Sequence, residues 1–158
     1  MRAFTGGAGV RVPGASMNTV VYGELPEKML GYYDHGTGLI HVNESLDRRE
    51  RHITGVHERF HKLLQHGLCA TPGMRTAREI KVEGWTASYM ITFRALLDAY
   101  TACSDVQAMA EFLNVDCELV YARVMGLSRL ERLILDVCAV RCIGVNLTTA
   151  HPDGVLVA

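Results

Sequence analysis

His57, Glu58 and His61 form the pattern H-E-x-x-H inside the stretch Ile53-Thr54-Gly55-Val56-His57-Glu58-Arg59-Phe60-His61-Lys62-Leu63-Leu64. The pattern has meaning only on a helix, where residues four apart share a face and two imidazoles can grip one metal ion. The flanking residues meet that condition. Ile53, Val56, Phe60, Leu63 and Leu64 recur at spacings of three and four, which marks one apolar stripe with the histidines along its edge. Glu58 then faces the open side of the metal, where it can take a proton from water. The bland reading of the same residues is an amphipathic helix with histidines on its wet flank. The helix is expected over 45–66, capped by Asn43 or Ser45 and stopped at Gly67.

With 158 residues, 49% of them hydrophobic and 21% charged, the chain is expected to fold as one soluble domain. The net charge of −1 argues against a surface that coats nucleic acid. No apolar run approaches the ~20 residues that span a bilayer. Met1 to Met17 is rich in glycine and has no continuous apolar core, so a secretory signal is not expected and a cytoplasmic location is. Cys69, Cys103, Cys117, Cys138 and Cys142 are odd in number and contain no C-x-x-C pair. They read as reduced thiols, although Cys138 and Cys142 are spaced to share a helical face.

Residues 1–17 read as a flexible tail, 18–143 as the folded domain and 144–158 as a second tail. Three short strands are expected within 18–43. Thr19–Tyr22 is β-branched and aromatic, and Leu30–Tyr33 and Leu39–Asn43 flank the turn Asp34-His35-Gly36-Thr37-Gly38 as an antiparallel hairpin. An edge strand beside the motif helix offers an extended peptide a pairing partner. Residues 67–74 read as a loop. One long helix is expected over 75–101, lined by Val82, Trp85, Tyr89, Phe93, Leu96, Leu97 and Tyr100. Residues 104–125 read as two short helices, the second capped by Asp116, and 127–143 as a last helix capped by Ser128. A DNA-reading helix-turn-helix over 104–125 would have only Arg123 as a base or phosphate contact.

A metal held by two histidines needs a third protein ligand, and the facing helix offers Glu79 or Glu83. The spacing E-x-x-x-E is similar to the E-x-x-x-D of gluzincin peptidases. By that analogy Glu79 binds zinc and Glu83 orients a ligand histidine through a hydrogen bond, with the reverse assignment as the alternative.

Four blocks in order resemble the ImmA/IrrE family of short zinc metallopeptidases. Gly38–Asn43 is similar to its strand before the motif helix. Arg51–His66 is similar to its "f-t-l-a-H-E-l-g-H-x-l-l-H". Glu79-x-x-Val82-Glu83-x-Trp85-Thr86-Ala87 is similar to "E-x-x-A-(N/D)-x-F-A-A". Met109–Asp116 with Val120-x-x-Arg123-Val124 is similar to "l-A-x-x-F-x-V-S…v-x-x-R-L". The chain departs from that pattern at Phe60, where glycine is usual, and at Val82, Glu83 and Trp85. It also lacks the proline that closes the family's "l-l-M-P" run. Phe60 is expected to add bulk near the metal and narrow the cleft.

The resemblance implies an α+β fold, a minimal zincin-like domain with a small antiparallel three-stranded sheet packed on a helical bundle. It implies a cytoplasmic, bacterial or phage-borne zinc endopeptidase. It also implies a protein substrate of the kind several members cut, a helix-turn-helix transcriptional repressor encoded nearby. Tyr32, Tyr33, Tyr89 and His41 are candidates for a second oxyanion donor. The rival expectation is a zincin-fold binding module that acts on a regulatory protein by binding alone.

Overall fold

The computed structural model describes residues 20–67 and 71–141. The two tails, Thr19 and the stretch 68–70 lie outside them, as do Cys69 and Cys142. Within these limits the fold is α+β, with three strands followed by six helices. Among the described residues, no helix is long and apolar enough to cross a membrane.

The strands are β1 (Val20–Gly23), β2 (Gly31–Asp34) and β3 (Leu39–Asn43). β2 and β3 form the expected antiparallel hairpin, closed by a turn in which Asp34 accepts from the Gly36 N–H at 2.8 Å and the Thr37 hydroxyl at 2.7 Å. Gly38, with φ +73°, completes that turn. The expectation of a wholly antiparallel sheet is corrected, because β1 pairs parallel with β3 and the order is β1-β3-β2. Residues 24–30 are long enough to carry the chain past the end of β3 instead of folding straight back. Asn43 fastens that crossing: its N–H donates to Leu30 O at 2.8 Å and its side-chain amide to Met29 O at 3.1 Å. The alternation along β3 buries Ile40 and Val42 completely, and they pack with Leu46, Val20 and Tyr33.

α1 (Arg48–Leu63) is the motif helix. Its cap is Asp47 rather than Asn43 or Ser45. The Asp47 carboxylate accepts from Glu50 N–H at 2.8 Å while Glu50 accepts from Asp47 N–H at 2.9 Å, a reciprocal box. The helix stops at Leu64, before Gly67, and Gln65 turns the chain with φ +52°.

The long second helix is two helices. α2 (Pro72–Met90) starts earlier than expected, because Thr71 caps it and Pro72 suits its first turn. It ends at Ile91, and Thr92 caps α3 (Phe93–Ala102) by accepting from Ala95 N–H. Ile91 is fully buried, so its carbonyl, freed by the break, needs a partner inside the protein. Arg123 supplies it, donating from Nε at 2.8 Å. Arg123 is only 5% exposed and also pairs with Glu131, so it is not available as a DNA contact.

α4 (Val106–Leu113) and α5 (Cys117–Met125) are joined through Asn114, which is left-handed at φ +54°. Asp116 caps α5 and Ser128 begins α6 (Arg129–Arg141), as expected. Ile91, Leu96, Met109, Val115, Leu119, Val120 and Leu135 form the helical core. Cys103, Cys117 and Cys138 are free thiols. α1 packs between the sheet and α2, so one helix carries both the fold and the motif.

Two glycines separate tight contact from open space. A Cβ on Gly31 would lie 2.6 Å from Thr54 Cγ2 and 2.7 Å from the His41 carbonyl oxygen, whereas one on Gly55 would meet nothing within 4 Å. Urea unfolding should therefore show Gly31→Ala destabilised by about 1–3 kcal/mol. Gly55→Ala, in mid-helix, should gain about 0.5–1 kcal/mol.

Candidate metal centre

His57 and His61 stand one turn apart on α1 and face α2, from which Glu79 projects toward both. The three side chains bring one atom each to a common point. His57 Nε2 lies 3.1 Å from His61 Nε2, and Glu79 Oε2 lies 3.2 Å from His57 Nε2 and 3.3 Å from His61 Nε2. A tetrahedral zinc ion with bonds of 2.0–2.1 Å sets its ligand atoms about 3.3 Å apart, so this triangle fits one face of such a site. Two imidazoles and one carboxylate leave a fourth position open, and no thiolate is among the donors. The group can hold a metal ion.

Electrostatics favour the metal-ready state of the histidines. Burial lowers the pKa of both, against the pull of the Glu79 carboxylate, and for His61 the nearby His57 and Arg78 add to the lowering. Neutral imidazole is the form that ligates. Glu58 sits between the histidines in sequence but inward in space, with 8% exposure. Burial, helped by the charge on Glu79, pushes its pKa up to about 7, and a backbone hydrogen bond from Tyr33 opposes the rise. Glu58 is thus a buried carboxyl group beside three converging ligand atoms, and its environment lets it exchange a proton near neutrality.

Glu83 stands elsewhere. No hydrogen bond joins it to His57 or His61. It is half-buried, its pKa raised first by burial and then by the carboxylates of Asp116 and Glu118 on the facing helix. The contact to a ligand histidine comes from His66, whose Nδ1 is 3.0 Å from His61 Nδ1. With His61 Nε2 turned to a cation, its Nδ1 carries the proton and His66 accepts it, which fixes tautomer and ring direction. No helical spacing points to His66, because it lies past the end of α1 and is brought back by the turn at Gln65. The closing histidine of the resembling block falls on Gln65, one residue short of His66.

Phe60 does not crowd the ligand atoms as expected. Its ring packs edge-on against Trp85 at 5.8 Å and Tyr89 at 6.2 Å. Those two residues, expected in the apolar core, are 38% and 65% exposed, so the three rings form an outer brace between α1 and α2. His41 stacks on Tyr32 with ring centroids 4.6 Å apart, and His35 meets Tyr33 edge-on. Two further bonds hold the centre from its flanks. Lys62 Nζ donates to Gly38 O at 2.7 Å, and Arg78 donates to Gly67 O at 2.9 Å.

Calorimetric titration with a divalent transition ion should show His66→Ala binding about tenfold more weakly than the parent, with Glu79→Ala losing more. A second outcome concerns the metal-free protein. Glu58 has its folded pKa raised above the ordinary 4.5, so its contribution to stability is present below about 4.5 and lost as pH rises through about 7. Glu58→Gln, which cannot ionise, should raise the melting temperature of chelator-treated protein at pH ~8 far more than at pH ~5. The difference should be on the order of 3 kcal/mol.

Comparisons with protein-family models, with curated proteins and with solved structures found no match to this chain.

Proposed function

We propose that this protein is a zinc-dependent endopeptidase of the ImmA/IrrE kind, hydrolysing a peptide bond in a protein substrate, with a helix-turn-helix repressor encoded nearby as the candidate target. The observation that carries the reading is the convergence of His57, His61 and Glu79 beside buried Glu58.

His57 Nε2, His61 Nε2 and one Glu79 oxygen would hold the ion. Zinc, when bound, supplies a positive charge that acidifies water and polarises a carbonyl. Everything else is work for the chain itself. Glu58 takes the proton of the attacking water on a carboxylate oxygen and returns it to the nitrogen of the leaving amine. A group that titrates near the working pH can do both, and burial tunes Glu58 in that direction. His66 keeps the His61 ring in its ligating tautomer. β2 is an edge strand beside α1, so an extended substrate has a backbone partner next to the motif helix.

Elemental analysis of the purified protein should find about one zinc per chain. Glu58→Gln should keep that zinc and cut the neighbouring repressor about 10²–10⁴-fold more slowly. Undiminished cleavage by the variant would remove Glu58 from its role. A protein that carries zinc and grips the repressor without cutting it would instead be a binding module on the same scaffold.

A further inference from the structure

A second concave surface lies on the other side of α1. Arg48, His52 and Arg59 are four and seven residues apart and form one stripe along the helix. His57 is nine residues beyond Arg48, which at about 100° per residue is half a turn away. The stripe therefore backs away from the metal centre. It opens into a cleft of about 1230 Å³, larger than the ~300–1,000 Å³ typical of small-molecule pockets. Arg49 and Arg51 join the same wall, so four guanidinium groups and an imidazole face the single carboxylate of Asp47. That carboxylate is already engaged in capping α1.

Among the described residues, the side chains of Arg48, His52 and Arg59 form no hydrogen bond or ion pair, so the guanidinium groups of Arg48 and Arg59 have no carboxylate partner there. Among the described residues, Arg49 and Arg51 donate to backbone carbonyls alone, Val115 O at 3.3 Å and Glu44 O at 2.7 Å, which aim the side chains without cancelling their charge. Arg48 and Arg49 also occupy the first turn of α1, where the helix dipole disfavours cations by roughly 0.3–1 kcal/mol each. Arg49 ties α1 to the α4–α5 connection in return, whereas among the described residues Arg48 gains no such contact.

The rest of the lining is not what a phosphate backbone needs. Met90 and Leu113 bring apolar surface, and the exposed Tyr22 ring lies 6.0 Å from the Arg51 guanidinium carbon. The chain as a whole carries −1, so no long-range field draws in a polyanion. We propose that this cleft is a separate binding site for an acidic peptide segment, in which carboxylates alternate with apolar side chains. Carboxylates pair with the guanidinium groups, bidentate where the geometry allows, and the apolar side chains cover Met90 and Leu113. Arg48 and Arg59 are about 16 Å apart along the axis, a span of about five extended residues. The site does not depend on any hydrolytic activity.

Fluorescence anisotropy with a labelled peptide of about eight residues, alternating Glu and Leu, tests this. The acidic peptide should bind, more weakly as salt rises, and a Gln-Leu peptide of equal length should not. The combined variant Arg48→Gln, His52→Gln, Arg59→Gln should lose about tenfold or more in affinity. Because these three side chains hold nothing in place among the described residues, its circular dichroism should be unchanged and its melting temperature equal or higher. Chelating divalent metal should leave the affinity as it was. No binding of the acidic peptide, equal binding of the Gln-Leu peptide, tighter binding of oligothymidylate, or undiminished affinity in the variant would each overturn the proposal.

Discussion

Two imidazole nitrogens and a carboxylate oxygen are held within about the length of a hydrogen bond of one another, where α1 meets α2. Burial lowers the pKa of both histidines, and each neutral ring has one donor and one lone pair to place. A cation at the centre of the triangle would take a lone pair from all three groups at once. The other elements near it act as restraints on that triangle. The reciprocal cap at Asp47 and Glu50 sets the start of α1, and the aromatic brace of Phe60, Trp85 and Tyr89 sets its spacing from α2. Thr54 and Gly31 fix how closely the sheet approaches.

A second buried polar group governs the helical half. The chain must turn between α2 and α3 inside the core, and that turn leaves the Ile91 carbonyl without a helical partner. The Arg123 guanidinium enters the core to meet it and brings Glu131 with it. Pairing with Arg123, with capping of α6 next in importance, pulls the Glu131 carboxyl down to about 2. One side chain thereby joins α2, α5 and α6.

Local periodicity made much of this legible. The alternation in Leu39–Asn43 does bury Ile40 and Val42, and the stripe through Ile53–Leu64 does form a helix. What escaped was non-local. The apolar repeat runs on through Ile91 and Thr92, so nothing in it marked the break; the buried arginine that tolerates the break is 32 residues away. The parallel pairing of β1 depends on where a loop crosses, which strand patterns do not encode. In the candidate site, helical spacing picked out His57 and His61 and offered two carboxylates across from them. His66 lay beyond reach of any period because a left-handed residue redirects the chain before it. Phe60 was legible as bulk but not as to where that bulk would go.

Lys62 follows His61 directly, and its ammonium group is fastened to the backbone of Gly38 at the tip of the β2–β3 turn. The hairpin tip and His61 are thus mechanically one piece. A residue inserted in that turn would displace an anchor adjoining His61 itself. Over evolutionary drift, the length of this short loop should be held as tightly as His57, His61 and Glu79.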